Sequence, residues 1–359
     1  MNQQPQPAQE NKMGVMPVHR LLLTMSGPMM LSMLIQALYN VVDSMFVSYI
    51  SEAALTAVSL AYPMQNLMIA VATGTGVGIN ALLSRNLGEK NFVMANRTAG
   101  NAIFLGLVSY GVFALLGVFG SRLYFTAQVE DPEIIALGCD YLSIILVLSI
   151  GCFGQVLLSR LLQSTGKTFY SMVIQMVGAG LNIVLDPIMI FGLMGFPRMG
   201  VAGAAVATVF SQLVSGGLCL LYMFRRFPVL RLQRRDWIPE RRMLLNESRV
   251  GLPMGFQMSI IAIGAMILQI ALNRLGSTAI AGFIAAQKID QLANQPMMSF
   301  GITMATYAAQ NYGAGNMRRI RAGVRRCILM SVGFSIVCGG ALILAAKPMA
   351  GLFVGADQP

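Results

Sequence analysis

Residues 201–224 read VAGAAVATVFSQLVSGGLCLLYMF and carry no charged side chain. A helix needs roughly 20 apolar residues to cross a bilayer, so this run is long enough to span one. Two arginines, Arg225 and Arg226, follow directly and place the end of the run where charged groups can reach water. This stretch predicts a transmembrane helix.

Hydrophobic residues make up 56% of the 359-residue chain and charged residues only 11%, against about 25% charged residues in a typical soluble domain. One water-soluble core could not hide that much apolar surface, so lipid must surround much of the chain. We expect nine spans, at residues 21–48, 54–84, 96–119, 134–160, 168–194, 201–224, 249–273, 278–308 and 322–346.

The positive charges are distributed unevenly between the two sides of these spans. Of the 25 lysines and arginines, 20 fall on one side, four on the other, and Lys288 falls within a span. We call the first side the basic side; it includes the N-terminal Arg20, the Arg85–Arg97 connection and the arginines that follow residues 224 and 316. The positive-inside rule assigns the basic side, and with it the N-terminus, to the cytoplasm. The net charge of +11 is therefore a topology signal, and we expect no nucleic-acid partner.

The sequence repeats itself at an offset of 225 residues. The matching segments are Gly27–Met29 with Leu252–Met254, Ala54–Ala57 with Ala279–Gly282, and Asn86–Asn91 with Asn311–Asn316. Because six spans precede the repeat, both units start on the same side and are parallel repeats. The second unit stops after its third span. The sequence thus predicts an all-α polytopic membrane protein with a complete six-helix N-lobe and the first three helices of a C-lobe, nine of an expected twelve.

These units predict four segments in the chain. They are a cytoplasmic N-terminal tail at 1–20, the N-lobe at 21–224, an inter-lobe linker at 225–248 and a partial C-lobe at 249–359. The linker is rich in arginine and contains Trp237, the only tryptophan. It either lies on the membrane surface as an amphipathic segment or connects the lobes through solvent.

Two aspartates lie deep within predicted spans of the N-lobe, where a charge is costly and indicates function. At 1.5 Å per residue, Asp43 lies about 33 Å and Asp186 about 27 Å from the basic side, at a similar level. Helical i,i+4 spacing places Tyr39 beside Asp43 and Asn182 beside Asp186. Such a cluster suits a shared proton or a sodium ion; a static hydrogen-bonded network is the alternative.

A third buried acid, Asp290, lies about 18 Å into the eighth span, with Gln287 and Asn294 on the same helical face. We expect these residues and Gln65 to line a substrate cavity, although a structural ion pair between Asp290 and Lys288 would also explain the acid. Pro28 and Pro253 occupy equivalent positions in the first helix of each unit, where a proline either allows bending or is a tolerated kink.

Several chemistries find no support in the sequence. His19 is the only histidine, and the five cysteines show no paired spacing, so we expect neither a histidine-based metal site nor disulfides. The glycines of Gly74–Gly78 lie inside an apolar span, which favours close helix packing over nucleotide binding. We expect no enzyme activity.

Five segments together resemble the multidrug and toxic compound extrusion (MATE) family of bacterial exporters, over essentially the whole chain. They are Gly27-Pro28, Tyr39–Val47, Asn86–Asn91, Leu181–Pro187 with Phe191-Gly192, and Gly200–Ala205. The resemblance implies a secondary antiporter that exchanges organic, often cationic, drugs for H⁺ or Na⁺, with no other cofactor. It implies a cation site at Asp43, Asn182 and Asp186 with Tyr39 beside it, a helix bend at Pro28, and a second-lobe acid at Asp290.

The resemblance also implies a setting: a monomer in the inner membrane of a bacterium, with small-molecule drugs and the lipid bilayer as its partners. One feature differs from some branches of the family, which carry an acid in the seventh span where this chain has Gln257 and Gln269. This difference favours ion coupling in the first lobe alone. The alternatives are a lipid-linked oligosaccharide flippase, which should carry more buried cations than Lys288, and a non-transporting fragment.

Overall fold

The computed structural model describes residues 12–226, 240–272 and 277–350, and the regular structure within these ranges is helical. The helices are α1 Lys12–Val15, α2 Val18–Ser48, α3 Glu52–Gly88, α4 Phe92–Thr126, α5 Pro132–Val147, α6 Ile150–Ser164, α7 Thr168–Phe191, α8 Val201–Arg226, α9 Arg241–Leu272, α10 Ser277–Gly313 and α11 Met317–Ala350. A short 3₁₀ turn, Leu193–Gly195, follows α7.

The predicted class, an all-α polytopic membrane protein, is confirmed. Six described helices are long and apolar enough to cross a membrane: α2, α3, α4, α7, α8 and α11. The bent pair α5–α6 would make a seventh span. Helices α9 and α10 cover the predicted seventh and eighth spans, whose place in the membrane stays a prediction.

The fourth predicted span differs from the expectation. One helix was expected over 134–160, but the chain breaks between α5 and α6 and bends there by 43°. Leu148 leaves helical geometry at φ −100°, ψ 21°, and Ser149 and Gly151 follow, small residues of the kind found at helix kinks. The bend brings α6 against α8, where a Cβ on Gly151 would lie 3.1 Å from the Val209 carbonyl oxygen.

One predicted span boundary also needs correction. The fifth span was expected to reach residue 194, but α7 ends at Phe191 because Gly192 adopts a left-handed conformation with φ 75°. Helix α9 begins at Arg241, within the predicted linker 225–248, and the boundary between the lobes stays a prediction. Residues 227–239 of the linker, Trp237 among them, lie outside the described residues.

The two repeat units meet near the basic side, through close contacts between glycines and backbone atoms. Gly74 of α3 and Gly251 of α9 face each other, and a Cβ on either would lie 2.9 Å from the other's carbonyl oxygen. The side-chain amide of Asn80 on α3 donates a hydrogen bond of 2.8 Å to the Thr306 hydroxyl on α10. We call this α3–α9–α10 contact the seam. The expected close packing of Gly74–Gly78 is confirmed.

The seam follows the internal repeat. Gly88 packs against the Gln310 carbonyl, and Gly313 packs against the Arg85 carbonyl. Gly313 and Gln310 lie 225 positions after Gly88 and Arg85, so the repeat converts each of these two contacts into the other. The ends of α3 and α10 therefore contact each other with approximate two-fold symmetry. A cluster at the same end of the molecule joins α1 and α2 to the second unit through buried Met13, Leu22, Met25, Phe300 and Tyr307.

Candidate functional site

Asp186 lies on α7 and is fully buried, with 0% of its surface exposed. Its Oδ1 accepts a hydrogen bond of 3.1 Å from the Asn182 side-chain amide, one helical turn earlier. The same amide nitrogen lies 3.4 Å from the Thr208 hydroxyl of α8. Gly203 lets α8 approach α7, because a Cβ there would lie 2.6 Å from the Met189 carbonyl oxygen. Tight α7–α8 packing therefore fixes the carboxylate.

Asp43 reaches the same point from α2. Its half-buried carboxyl group lies close enough to the Asp186 carboxyl group for the two charges to interact. Asp43 Oδ1, Asp186 Oδ2 and Asn182 Oδ1 are buried and have no hydrogen-bond partner among the described residues. Two carboxylates this close repel each other when both are ionised, so a shared proton or a cation between them would relieve the repulsion.

Two tyrosines complete the cluster. Tyr39 lies close to both carboxylates, and its hydroxyl is within reach of Gln36. Tyr141 of α5 is 2% exposed, faces Asp43, and lies within hydrogen-bonding reach of Gln65 on α3. Helices α2, α3, α5, α7 and α8 thus converge on one cluster of polar side chains inside an apolar bundle.

Sequence reasoning missed Tyr141 and Thr208. Neither belongs to a motif, and only the helix packing shows that they face the acids. The available signal was weak: each is one of the few polar side chains in the middle of its span. Polar residues within spans tend to face the interior of the bundle rather than lipid.

A small cavity of about 20 Å³ adjoins the acids between α2, α6, α7 and α8. It extends from Asn182 toward the basic side, where α7 begins and α8 ends. Its lining includes Gln175, which precedes Asn182 on α7, and Ser215, which lies in the second half of α8. The hydroxyls of Ser211 and Ser215 have no partner among the described residues. Its polar lining includes Ser32, Gln36, Tyr39, Gln155, Gln175, Asn182, Thr208, Ser211, Gln212 and Ser215. Unpaired hydroxyls and amides make this cavity suitable for water or a polar ligand.

The other predicted site residues are scattered. Gln65 is half-buried beside Tyr141, and Pro28 lies inside α2, which remains one helix through it. Asn294 is exposed on α10. The predictions for Asp290, Gln287 and Lys288 concern side chains outside the described part of the structure, although α10 includes these positions.

Comparison with known proteins identifies a family and several relatives. The family model described as MatE matches residues 28–188 and 253–358. A probable multidrug resistance protein NorM from Thermotoga maritima is 26% identical over 344 residues, which are 95% of this chain and 73% of that protein. An FAD transporter from Shewanella oneidensis is 26% identical over 348 residues, 94% of this chain and 75% of that protein.

A solved structure is similar in fold. It is described as the outward-facing conformation of a multidrug resistance MATE family transporter of the MOP superfamily. The two chains superpose with a TM-score of 0.90 at 25% identity, over 98% of this chain and 78% of the other.

Proposed function

Because this chain belongs to the MatE family of multidrug efflux transporters, we propose that it exports small organic molecules in exchange for H⁺ or Na⁺. The observation that supports the exchange is the proximity of the Asp43 and Asp186 carboxyl groups, with one unpaired oxygen on each of Asp43, Asp186 and Asn182. Proteins seldom bury unpaired acids together unless they bind something.

The proposed mechanism is alternating access. A proton or sodium ion bound between Asp43 and Asp186 changes the shape and charge of the adjoining cavity, and so changes its affinity for substrate. An ion shifts a conformational equilibrium only by its differential affinity for the two states. Because Asp43 is only half-buried, the pair can exchange its ion with water. The fully buried Asp186 keeps the ion at the site.

Both coupling ions suit the site. A proton would be shared between the two carboxyl groups. A sodium ion would use the oxygens of Asp43, Asp186 and Asn182, with Tyr39 beside them, because hard cations prefer oxygen ligands. We propose that the protein acts as a monomer in the inner membrane of a bacterium, with its basic side in the cytoplasm.

The charge of the site favours cationic substrates. The cavity is lined by amides, hydroxyls and a tyrosine next to two acids, and no arginine or lysine lines it. An anion such as FAD, the substrate in the name of the Shewanella relative, would meet the carboxylates without a compensating cation. We therefore expect ethidium rather than FAD to be exported.

The test is ethidium efflux from cells that express the chain. Asp43→Asn removes one acid at nearly constant volume, so we expect efflux to fall to the level of cells without the protein while the amount in the membrane stays unchanged. Asp140→Asn neutralises an exposed aspartate of α5 and should transport like the wild type. Normal efflux by Asp43→Asn would rule out the coupling role.

A further inference from the structure

Glu247 is a buried acid far along the chain from the pair of Asp43 and Asp186. It lies on α9, at the seam, and 1% of its surface is exposed. Neither Oε1 nor Oε2 has a hydrogen-bond partner among the described residues. A buried carboxyl group with no partner is costly, and each such group needs an explanation.

The contact around Glu247 is a direct meeting of two helix backbones. A Cβ on Gly78 of α3 would lie 2.5 Å from the Glu247 carbonyl oxygen. The Gly74–Gly251 contact lies one helical turn away, earlier on α3 and later on α9, because the two helices run antiparallel here. The burial of Glu247 therefore depends on α9 lying against α3, which is the contact that closes the seam.

Charged neighbours do not account for the acid. On α3, Arg85 bonds Glu89 at 2.8 Å, and on α4, Arg97 pairs with Glu240 at 3.5 Å. On α6, Arg160 packs against Gly76 of α3, and its guanidinium donates to the Gln163 side chain at 3.1 Å. The arginines of α9 itself, Arg241, Arg242 and Arg249, are exposed. In the part of the chain that the structure describes, none of these groups forms an ion pair with Glu247.

The internal repeat shows that packing does not require an acid here. The residue 225 positions earlier is Leu22, which is also fully buried, at the equivalent contact between α2 and α10. A leucine fills that place without any polar group. The carboxyl group of Glu247 is thus an addition to the packing, and its function must come from its chemistry.

We propose that Glu247 is a second proton-binding site, protonated while the seam is closed and deprotonated into water when α9 separates from α3. The proposal rests on the alternating access described above. A carboxyl group buried without a partner is stable in its neutral form, whereas water at an open seam stabilises the carboxylate. Because the closed state binds the proton more tightly, protonation stabilises the closed seam and a rise in pH opens it.

The opening can be measured by electron paramagnetic resonance between two spin labels. Phe92 and Met317 are 44% and 50% exposed, begin α4 and α11 near the basic side, and occupy equivalent positions in the two units. Labels at Phe92→Cys and Met317→Cys, with the five native cysteines replaced, report the separation of the units in the full chain in lipid nanodiscs. We expect a longer-distance population that grows as the pH rises.

Three variants decide the outcome. Glu247→Gln and Glu247→Leu should hold the short distance at every pH, since neither side chain can ionise. Glu240→Gln is the control, because Glu240 is an exposed acid directly before α9. Its spin-label distance should respond to pH like that of the wild type. A pH response retained in Glu247→Gln, or absent from the wild type, would overturn the proposal.

A further background separates this proposal from the acid pair. In Asp43→Asn with Asp186→Asn, ethidium efflux should be lost, but the pH-dependent distance change should persist. Loss of the distance change in that background would assign it to the acid pair and contradict the role of Glu247. If ethidium is not exported but the distance still responds through Glu247, the proposed function fails and the seam site stands.

Discussion

At the scale of single residues, the sequence predicted the acids but not their surroundings. Asp43 and Asp186 stand out because charges inside apolar runs are rare, and helical spacing added Tyr39 and Asn182. The structure places all four together. Tyr141 and Thr208 could not be predicted, because one sequence does not tell which faces of α5 and α8 point toward α2 and α7.

The hydroxyl of Tyr141 gives a residue-scale prediction. It faces Asp43 and lies within reach of Gln65, so Tyr141→Phe keeps the ring and removes a polar group beside the acids. We expect the initial rate of ethidium efflux to fall about two- to tenfold, the effect of losing one neutral hydrogen bond worth about 0.5–1.5 kcal/mol. The protein should remain folded.

A matched control is Tyr124→Phe. The Tyr124 hydroxyl donates to the Leu60 carbonyl at 2.9 Å, away from the acids. Removing it should lower the free energy of unfolding by about 1 kcal/mol and leave efflux unchanged. Equal efflux rates for the two variants would show that the Tyr141 hydroxyl has no special role.

At the scale of helices, the sequence predicted where most elements lie but not how they bend. The α5–α6 break falls within one apolar run, and a membrane-spanning pattern reads the same whether its helix is straight or bent. The small residues of α3 were more informative, because their expected close packing is what closes the seam. Their partners on α9 and α10 could not be named from the sequence.

Gly88 tests the seam at the helix scale. A Cβ there would collide with the Gln310 backbone, so Gly88→Leu should keep α3 and α10 apart and leave the spin labels at the longer distance even at low pH. Overpacking of this kind typically costs about 1–3 kcal/mol. Gly111→Leu is the control, because nothing lies within 4 Å of a Cβ on Gly111 of α4. A short distance in Gly88→Leu would show that the seam does not depend on this contact.

At the scale of the whole molecule, the repeat was the most informative sequence feature. It predicted two parallel units, and the seam shows equivalent residues of the two units in exchanged contacts. The acids break this symmetry. The position 225 residues after Asp43 is Leu268, which is 48% exposed, and the position 225 residues before Glu247 is Leu22. One unit therefore carries the acid pair, and the other contributes the acid at the seam.

We propose that the two acidic sites have different roles in the transport cycle. The pair of Asp43 and Asp186 lies beside the cavity and would sense ion and substrate, whereas Glu247 lies where the units meet and would sense whether they touch. The sequence alone could not separate these roles, because Glu247 falls at the end of the predicted linker, where an acid is expected to lie in water. Only the burial of its side chain against α3 distinguishes it.

The central claim, that Asp43 and Asp186 couple ion movement to export, is tested most directly with purified protein in liposomes. Ethidium uptake is measured after a pH gradient or a sodium gradient is imposed, for the wild type and for Asp186→Asn. We expect one of the two gradients to drive ethidium uptake by the wild type and neither to drive it in Asp186→Asn. Gradient-driven uptake by Asp186→Asn at the wild-type rate would show that the acid pair does not couple ion movement to export.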